Sequence, residues 1–71
     1  FYVYVIYSSE FDRYYVGMTD APARRLEEHN IGKTTSTKAY RPWELVYCES
    51  LDSREAARKR EKYLKSAAGR R

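Results

Sequence analysis

The stretch that decides the fold is Phe1-Tyr2-Val3-Tyr4-Val5-Ile6-Tyr7, an unbroken run of β-branched and aromatic residues. Such residues favour extended backbone, in which alternate side chains point to opposite faces of a sheet. Both faces of this strand are apolar, which predicts a central strand covered on both sides. After the polar residues 8–13, Tyr14-Tyr15-Val16-Gly17-Met18 is typical of a second strand. The short connection predicts an antiparallel hairpin.

The first predicted helix follows the hairpin directly. Asp20 is a good N-cap and Pro22 is tolerated in a first helical turn, so we expect the helix to begin there. It should run to about Asn30, because Gly32 then offers a C-terminal stop. The next ten residues are polar and rich in Thr and Ser, and we expect them to form an ordered loop.

A third strand is predicted over residues 43–49, which are rich in aromatic and branched side chains. Strict alternation would place Trp43, Leu45 and Tyr47 on one face of this strand.

A second helix is predicted after the third strand. The segment Asp52-Ser53-Arg54-Glu55 has the spacing of a capping box with Asp52 as the cap. The helix should run to about Ser66, with Gly69 beyond its end. The order β-β-α-β-α predicts an α+β fold, in which helices pack on a three-stranded antiparallel sheet with the first strand central. A chain of this length is expected to form a single domain over residues 1–71.

Composition narrows the function. The net charge of +4 favours a polyanionic partner such as nucleic acid, although a solvated basic surface gives the same balance. Cys48 is the only cysteine, which leaves no intrachain disulfide partner, excludes a cysteine-cluster zinc site and suits the reducing cytoplasm. His29 is the only histidine, which excludes a multi-histidine metal site. No apolar run approaches the ~18 residues of a membrane span. Because Met18 is the only methionine, we do not expect Phe1 to be the native start.

Several short motifs agree in order and spacing. The two strands carry Tyr2-Val3-Tyr4 and Tyr15-Val16-Gly17, and the helices carry Arg25-Leu26-Glu27-Glu28-His29 and Lys59-Arg60-Glu61-Lys62-Tyr63-Leu64-Lys65. Together with Arg41-Pro42-Trp43-Glu44-Leu45-Val46-Tyr47, they make the chain resemble the GIY-YIG nuclease family over essentially its whole length. It is most similar to the small stand-alone bacterial members related to the N-terminal nuclease domain of UvrC. The resemblance implies a DNA endonuclease that uses one divalent cation, Mg²⁺ or Mn²⁺, with a link to DNA repair.

The resemblance also implies a set of site residues. The family's catalytic positions match Tyr4, Tyr15, Arg25, His29 and Glu61, and its second-motif glycine matches Gly17. Among these, Glu61 matches the metal-binding glutamate. Two positions depart from the pattern: Tyr2 stands where the family name has glycine, and Met18 stands where UvrC-like domains often have lysine.

The position of one acidic residue suits metal binding even without the family resemblance. Glu61 lies at the margin of the packing face of its helix, where a single carboxylate suits one Mg²⁺ or Mn²⁺ whose other ligands are water and phosphate. The alternative for Glu61 is a surface ion pair with Lys62 or Lys65.

The remaining site residues fit phosphodiester hydrolysis, which needs an attacking water and stabilisation of charge on the phosphate. Arg25 can hold a phosphate oxygen with two donors. A phenol ionises near pH ~10, so Tyr15 would accept a proton from water only beside a cation, and Tyr4 would position the water or the phosphate. His29 could relay a proton or bind phosphate, although a structural role is the alternative. Gly17 leaves room for backbone or substrate to approach, or marks a bulge.

DNA backbone contacts are expected from five cations on the loop and the helices: Arg24, Lys33, Lys38, Arg41 and Lys65. Such contacts carry no sequence information, so selectivity is expected to rest on DNA shape or on a partner. Two other functions stay open: a catalytically silent nucleic-acid-binding module, and a docking domain of a larger repair complex.

Overall fold

A computed structural model describes residues 1–68 of the chain, which fold into three strands and three helices. In chain order they are β1 (Tyr2–Ser8), β2 (Arg13–Thr19), α1 (Pro22–Asn30), α2 (Thr35–Lys38), β3 (Glu44–Ser50) and α3 (Arg54–Ala68). The predicted α+β fold and the order β-β-α-β-α are confirmed. The predicted loop differs in one respect, because it contains the single turn of helix α2.

The strands form one antiparallel sheet in the order β2-β1-β3, so the central position predicted for β1 is confirmed. The register between β1 and β2 is continuous from Tyr2 opposite Thr19 to Ser8 opposite Arg13. Gly17 therefore lies in a regular ladder, directly opposite Tyr4, and does not mark a bulge.

The register between β1 and β3 is interrupted, which corrects the predicted face of the third strand. Tyr47 pairs with Val5 and Leu45 pairs with Ile6, so one residue of β3 is extra at this point. An extra residue reverses the alternation of side chains. Leu45 thus lies on the same face as Ile6, and Tyr47 lies on the opposite face.

Helices cover both faces of β1, as its two apolar faces predicted. One face, here the α3 face, buries a small apolar cluster of Val3, Val16 and Ala57, with Leu64 packed against it. The other, here the α1 face, buries Tyr4, Ile6 and Trp43, with Tyr15 and Leu26 packed against them. The sheet is therefore the middle of three layers.

The start of α1 differs from the prediction. The helix begins at Pro22, and the residue that precedes it is Ala21, whose side chain cannot cap. The hydroxyl of Thr19 accepts a hydrogen bond from the Ala21 N–H at 3.1 Å. Asp20 instead forms an ion pair with Arg24 at 3.3 Å. The terminus is ordered by Thr19 and by the fixed backbone of Pro22.

The start of α3 also differs, by one residue. Ser53, and not Asp52, lies at the N-cap, where its hydroxyl accepts a hydrogen bond from the Ala56 N–H at 3.1 Å. The helix continues to Ala68, two residues beyond the predicted end. The expected stop at Gly69 lies outside the described residues. None of the helices within residues 1–68 has the length and apolarity needed to cross a membrane.

Candidate active site

Four of the predicted catalytic residues lie together on the α1 face. Tyr4 and Tyr15 come from neighbouring strands, and their ring centroids are 6.4 Å apart. The imidazole of His29 lies 5.0 Å from the Tyr15 ring, measured between centroids. The charge of Arg25, one helical turn before His29, acts on the Tyr4 hydroxyl. Two side chains of α1 thus approach one phenol.

The Tyr4 hydroxyl begins a buried hydrogen-bond chain that crosses from β1 to α2. Its oxygen lies 2.9 Å from Nε2 of His29, and Nδ1 of the same ring lies 2.8 Å from Oγ1 of Thr37. The Thr37 hydroxyl donates to the carbonyl oxygen of Thr34 at 3.3 Å. Tyr4, His29 and Thr37 are 2%, 0% and 1% exposed. Burial shields these hydrogen bonds from competing water and strengthens them.

The directions of these hydrogen bonds follow from Thr37. Because its hydroxyl donates to a carbonyl, its oxygen accepts the Nδ1 proton of His29. Burial, reinforced by the charge of Arg25, lowers the pKa of His29, so the imidazole is neutral. Its Nε2 lone pair therefore accepts the proton of Tyr4. Burial raises the pKa of Tyr4, against the opposing effect of Arg25, so the phenol keeps its proton.

The end of α1 fixes the position of His29. The N–H of Gly32 donates to the His29 carbonyl at 3.3 Å, and the N–H of Lys33 donates to the Glu28 carbonyl at 3.1 Å. These two bonds form a Schellman motif, in which Gly32 adopts a φ of +86°. Glycine takes this left-handed conformation without strain. The predicted stop at Gly32 is confirmed.

Asn30 ties the end of α1 to the start of β3. Its side-chain amide donates to the Trp43 carbonyl at 3.0 Å, and its oxygen accepts from the Trp43 N–H at 2.6 Å. The indole N–H of Trp43 donates to the carbonyl of Thr37 at 2.9 Å. Since Trp43 is 5% exposed, this clamp holds Thr37 in place behind His29.

Gly17 leaves space that the Tyr4 ring fills. A Cβ atom placed on Gly17 would lie 2.6 Å from the Tyr4 hydroxyl oxygen and 2.8 Å from Cζ of the same ring. These distances are too short for any side chain on Gly17. The phenol can lie flat across the neighbouring strand only because this residue is glycine.

Arg25 is held by an acidic neighbour on its own helix. One of its terminal nitrogens lies 2.9 Å from Oε1 of Glu28, and the two side chains are 31% and 24% exposed. This hydrogen bond to Arg25 lowers the pKa of Glu28, so the carboxylate stays charged. A guanidinium has five N–H donors, so the pair leaves donors for a further anion.

Glu61 belongs to the opposite layer of the fold, on α3. It lines an open cleft of about 490 Å³ between the end of β2 and α3, together with Thr19 and Asp20. The Glu61 carboxylate also pairs with Lys65 at 3.4 Å, so the ion pair considered for it from the sequence is present. Its negative charge contributes to the raised pKa of Tyr4.

The five cations predicted to contact DNA are all exposed: Arg24, Lys33, Lys38, Arg41 and Lys65. Some of them have partners within the protein. Arg24 pairs with Asp20, Lys65 pairs with Glu61, and Arg41 donates to a carbonyl of its own loop.

Three residues of the site were not singled out from the sequence: Glu28, Asn30 and Thr37. The i, i+3 spacing of Arg25 and Glu28 is a signal that could have identified their ion pair. The contacts of Asn30 and Thr37 join residues that are distant along the chain, and no local pattern indicates them.

Fold, tyrosine pair and helix arginine together define a nuclease domain of the GIY-YIG type. The GIY-YIG catalytic domain family matches residues 1–71, and the chain belongs to this family. Family membership indicates a nuclease with DNA as its substrate and, as in these nucleases generally, dependence on a divalent metal.

Relatives of similar size support the assignment. The chain is 39% identical to a UPF0213 protein of Haloquadratum walsbyi over 92% of its own length and 73% of that protein. It is 41% identical to a UPF0213 protein of Syntrophus aciditrophicus over 90% of its length and 75% of that protein. For a UPF0213 protein of Halobacterium salinarum, the identity is 40% over 90% and 83% of the two lengths. The chain is thus similar to small stand-alone members of the family. No solved structure gives a significant match.

Proposed function

We propose that this chain is a DNA endonuclease that hydrolyses phosphodiester bonds with one divalent cation, selects DNA by shape and serves DNA repair. The observation that carries the proposal is the environment of the Tyr4 hydroxyl. It donates to a neutral His29, lies under the charge of Arg25 and is within range of the charge of Glu61. A tyrosine with a purely structural role needs only one hydrogen-bond partner. The additional charges of an arginine and a glutamate acting on its hydroxyl are typical of a functional site.

The hydrogen-bond chain gives Tyr4 a means of accepting a proton despite its raised pKa. As the Tyr4 oxygen takes a proton from the attacking water, its own proton moves to Nε2 of His29. No free phenolate forms, and His29 carries the added proton as an imidazolium. His29 is 0% exposed and acts through Tyr4, without touching the substrate. Tyr15, which is only partly buried, then orients the water or the phosphate, which reverses the roles that residue chemistry predicted for the two tyrosines.

Arg25 is proposed to bind the phosphate. Its remaining N–H donors can hold a non-bridging oxygen and offset the charge that builds up there during attack. The ion pair with Glu28 restricts the guanidinium before substrate arrives. Less entropy is then lost when the phosphate binds.

Glu61 is proposed to hold the cation, Mg²⁺ or Mn²⁺. Within residues 1–68 no group of three or more His, Cys, Asp and Glu side chains could hold a metal. A partly exposed carboxylate on an open cleft fits a cation that keeps several of its waters. When bound, the cation supplies positive charge to the phosphate and lowers the pKa of a coordinated water.

A nicking assay tests the proposal. We expect the purified chain to nick supercoiled or branched DNA with Mg²⁺ or Mn²⁺ and to stop when EDTA is added. Glu61→Gln should abolish nicking, while Lys62→Gln, a neighbouring exposed position on the same helix, should leave it within about twofold. Equal nicking by wild type and Glu61→Gln would trace the activity to a contaminant and refute the proposal. Salt-dependent binding without nicking, unchanged by Glu61→Gln, would instead support a silent nucleic-acid-binding module.

A further inference from the structure

The cleft that contains Glu61 has two arginines on the same wall, which is formed by α3. Arg54 and Arg58 line it from the first two turns of α3, and Thr19 and Asp20 line it from the end of β2. Residues four apart lie on the same side of a helix, about 6 Å apart along its axis. Arg54, Arg58 and Glu61 therefore form one row along α3, with the carboxylate at its C-terminal end.

These two arginines differ from the other arginines near the site. Arg24, Arg25 and Arg60 each pair with a carboxylate of the protein. Among residues 1–68, Arg54 and Arg58 make no ion pair. An arginine without a partner, facing an open cleft, keeps its whole set of donors for an anion from outside.

Neighbouring residues prepare the cleft for an anion. The guanidinium of Arg54 lies over the ring of Phe1, 5.3 Å from its centroid, which restricts the side chain without neutralising its charge. Asp20, the one other carboxylate of the cleft, is already paired with Arg24 at 3.3 Å. Its charge therefore repels an incoming phosphate less than an unpaired carboxylate would.

We propose that this cleft is a second phosphate-binding site, in which Arg58 and Arg54 hold the backbone of the DNA strand next to the phosphate being cut. The inference rests on the proposed function and specifies the path of the substrate. The strand leaves the tyrosine cluster past Glu61 and runs along α3 toward its first turn. This path differs from the contacts expected of the loop cations Lys33, Lys38 and Arg41. Arg54 and Arg58 are then DNA-binding residues that neither the motifs nor the family resemblance identifies.

Binding measured without metal tests the site independently of cleavage. The probe is a short fluorescein-labelled DNA duplex with a nick, titrated in EDTA and followed by fluorescence anisotropy. We expect Arg54→Gln/Arg58→Gln to weaken binding about tenfold and to lower the slope of log K against log salt by about 2. The matched control is Lys59→Gln/Lys62→Gln, which removes the same charge from exposed positions of α3 that do not line the cleft. It should weaken binding less than threefold, with a slope change below 1.

The outcomes separate this inference from the proposed function. If the two double variants lose affinity equally, the cleft is not a specific site and the inference is wrong. If the arginine variant alone loses affinity and wild type never nicks DNA, the site stands and the endonuclease proposal falls. If wild type nicks DNA and the arginine variant binds and nicks normally, the endonuclease proposal stands and the second phosphate-binding site is refuted. Thermal melting should show both double variants within about 3 °C of wild type, because all four side chains are exposed.

Discussion

The two faces of the sheet bury different kinds of side chain. The α3 face buries small aliphatic side chains, with Val3, Val16 and Ala57 at its centre. The α1 face buries a phenol, an imidazole and a hydroxyl, joined in series from Tyr4 to Thr37. In a small domain with a small core, apolar burial is the main source of stability. Buried polar groups stabilise only when each has a partner.

The difference indicates a division of roles between the faces. Removing apolar volume from the α3 face should lower stability and leave the chemistry intact. Removing one member of the chain on the α1 face should affect the chemistry first. Substitutions on the two faces therefore test whether the polar core serves catalysis or only the fold.

Gly17→Ala should have the largest effect. The added Cβ would meet the Tyr4 ring at 2.6–2.8 Å, so the phenol must move and lose its hydrogen bond to His29. We expect nicking to fall by about a hundredfold or more and stability by about 1–3 kcal/mol. A double-mutant cycle with Tyr4→Leu gives the control, since leucine lacks the atoms that clash. A stability cost that is the same in both backgrounds would contradict the assigned role of Gly17.

Val3→Ala tests the other face. Val3 is 0% exposed at the centre of the α3 face, and its truncation should cost about 2 kcal/mol, which lowers Tm by roughly 10 °C. Below the new Tm, the nicking rate per folded molecule should stay within about twofold of wild type. A large fall in kcat at full folding would show that the faces do not divide the roles.

Thr37→Val comes next. The substitution keeps the shape but removes the acceptor of the His29 Nδ1 proton, so we expect a loss of about 1–2 kcal/mol and a shift of the imidazole toward the other tautomer. His29 is the only histidine in the chain, so ¹⁵N NMR of a tag-free sample reports this tautomer directly. Thr37→Ser keeps the hydroxyl, so it should retain both the wild-type tautomer of His29 and the wild-type nicking activity. If Thr37→Val loses stability but the tautomer of His29 is unchanged, Thr37 has only a packing role and does not orient the imidazole.

Lowering the pH should weaken the α1 face gradually. Burial holds the pKa of His29 below its ordinary value of 6.5, so the unfolded chain takes up this proton at a higher pH than the folded chain. Stability should therefore fall as pH drops below 6.5. Below pH 4.5 further loss is expected, because the pKa values of Glu28 and Glu49 are lowered by their hydrogen bonds. Urea unfolding between pH 7 and pH 5 measures the histidine effect alone. His29→Gln should give a flat profile in this range, and a slope equal to that of wild type would contradict the assignment.

Sequence patterns predicted the sheet because its signals are local. The two apolar faces of residues 1–7 identified the central strand, and the glycine stop at Gly32 followed from helix chemistry. Each predicted N-cap was wrong by one residue. Asp20 is paired with Arg24 and does not cap α1, and the hydroxyl of Ser53, in place of Asp52, caps α3. No residue pattern in β3 indicates the position of its bulge. The site residues were expected from the family resemblance, but the contact from His29 to Thr37 depends on how α2 packs, which alternation and spacing do not encode.

Ser8→Ala should have the smallest effect, and of opposite sign. Ser8 ends β1 on the side shared by Tyr4 and Ile6 and is 0% exposed. Among residues 1–68 its hydroxyl has no hydrogen-bond partner. A buried hydroxyl without a partner costs stability, so its removal should raise the free energy of unfolding by up to about 1 kcal/mol. Thr37→Val is the matched comparison, because it also removes one buried hydroxyl from the same face, but a hydroxyl with two partners. If both substitutions destabilise the protein equally, partnering does not explain why the polar core is tolerated.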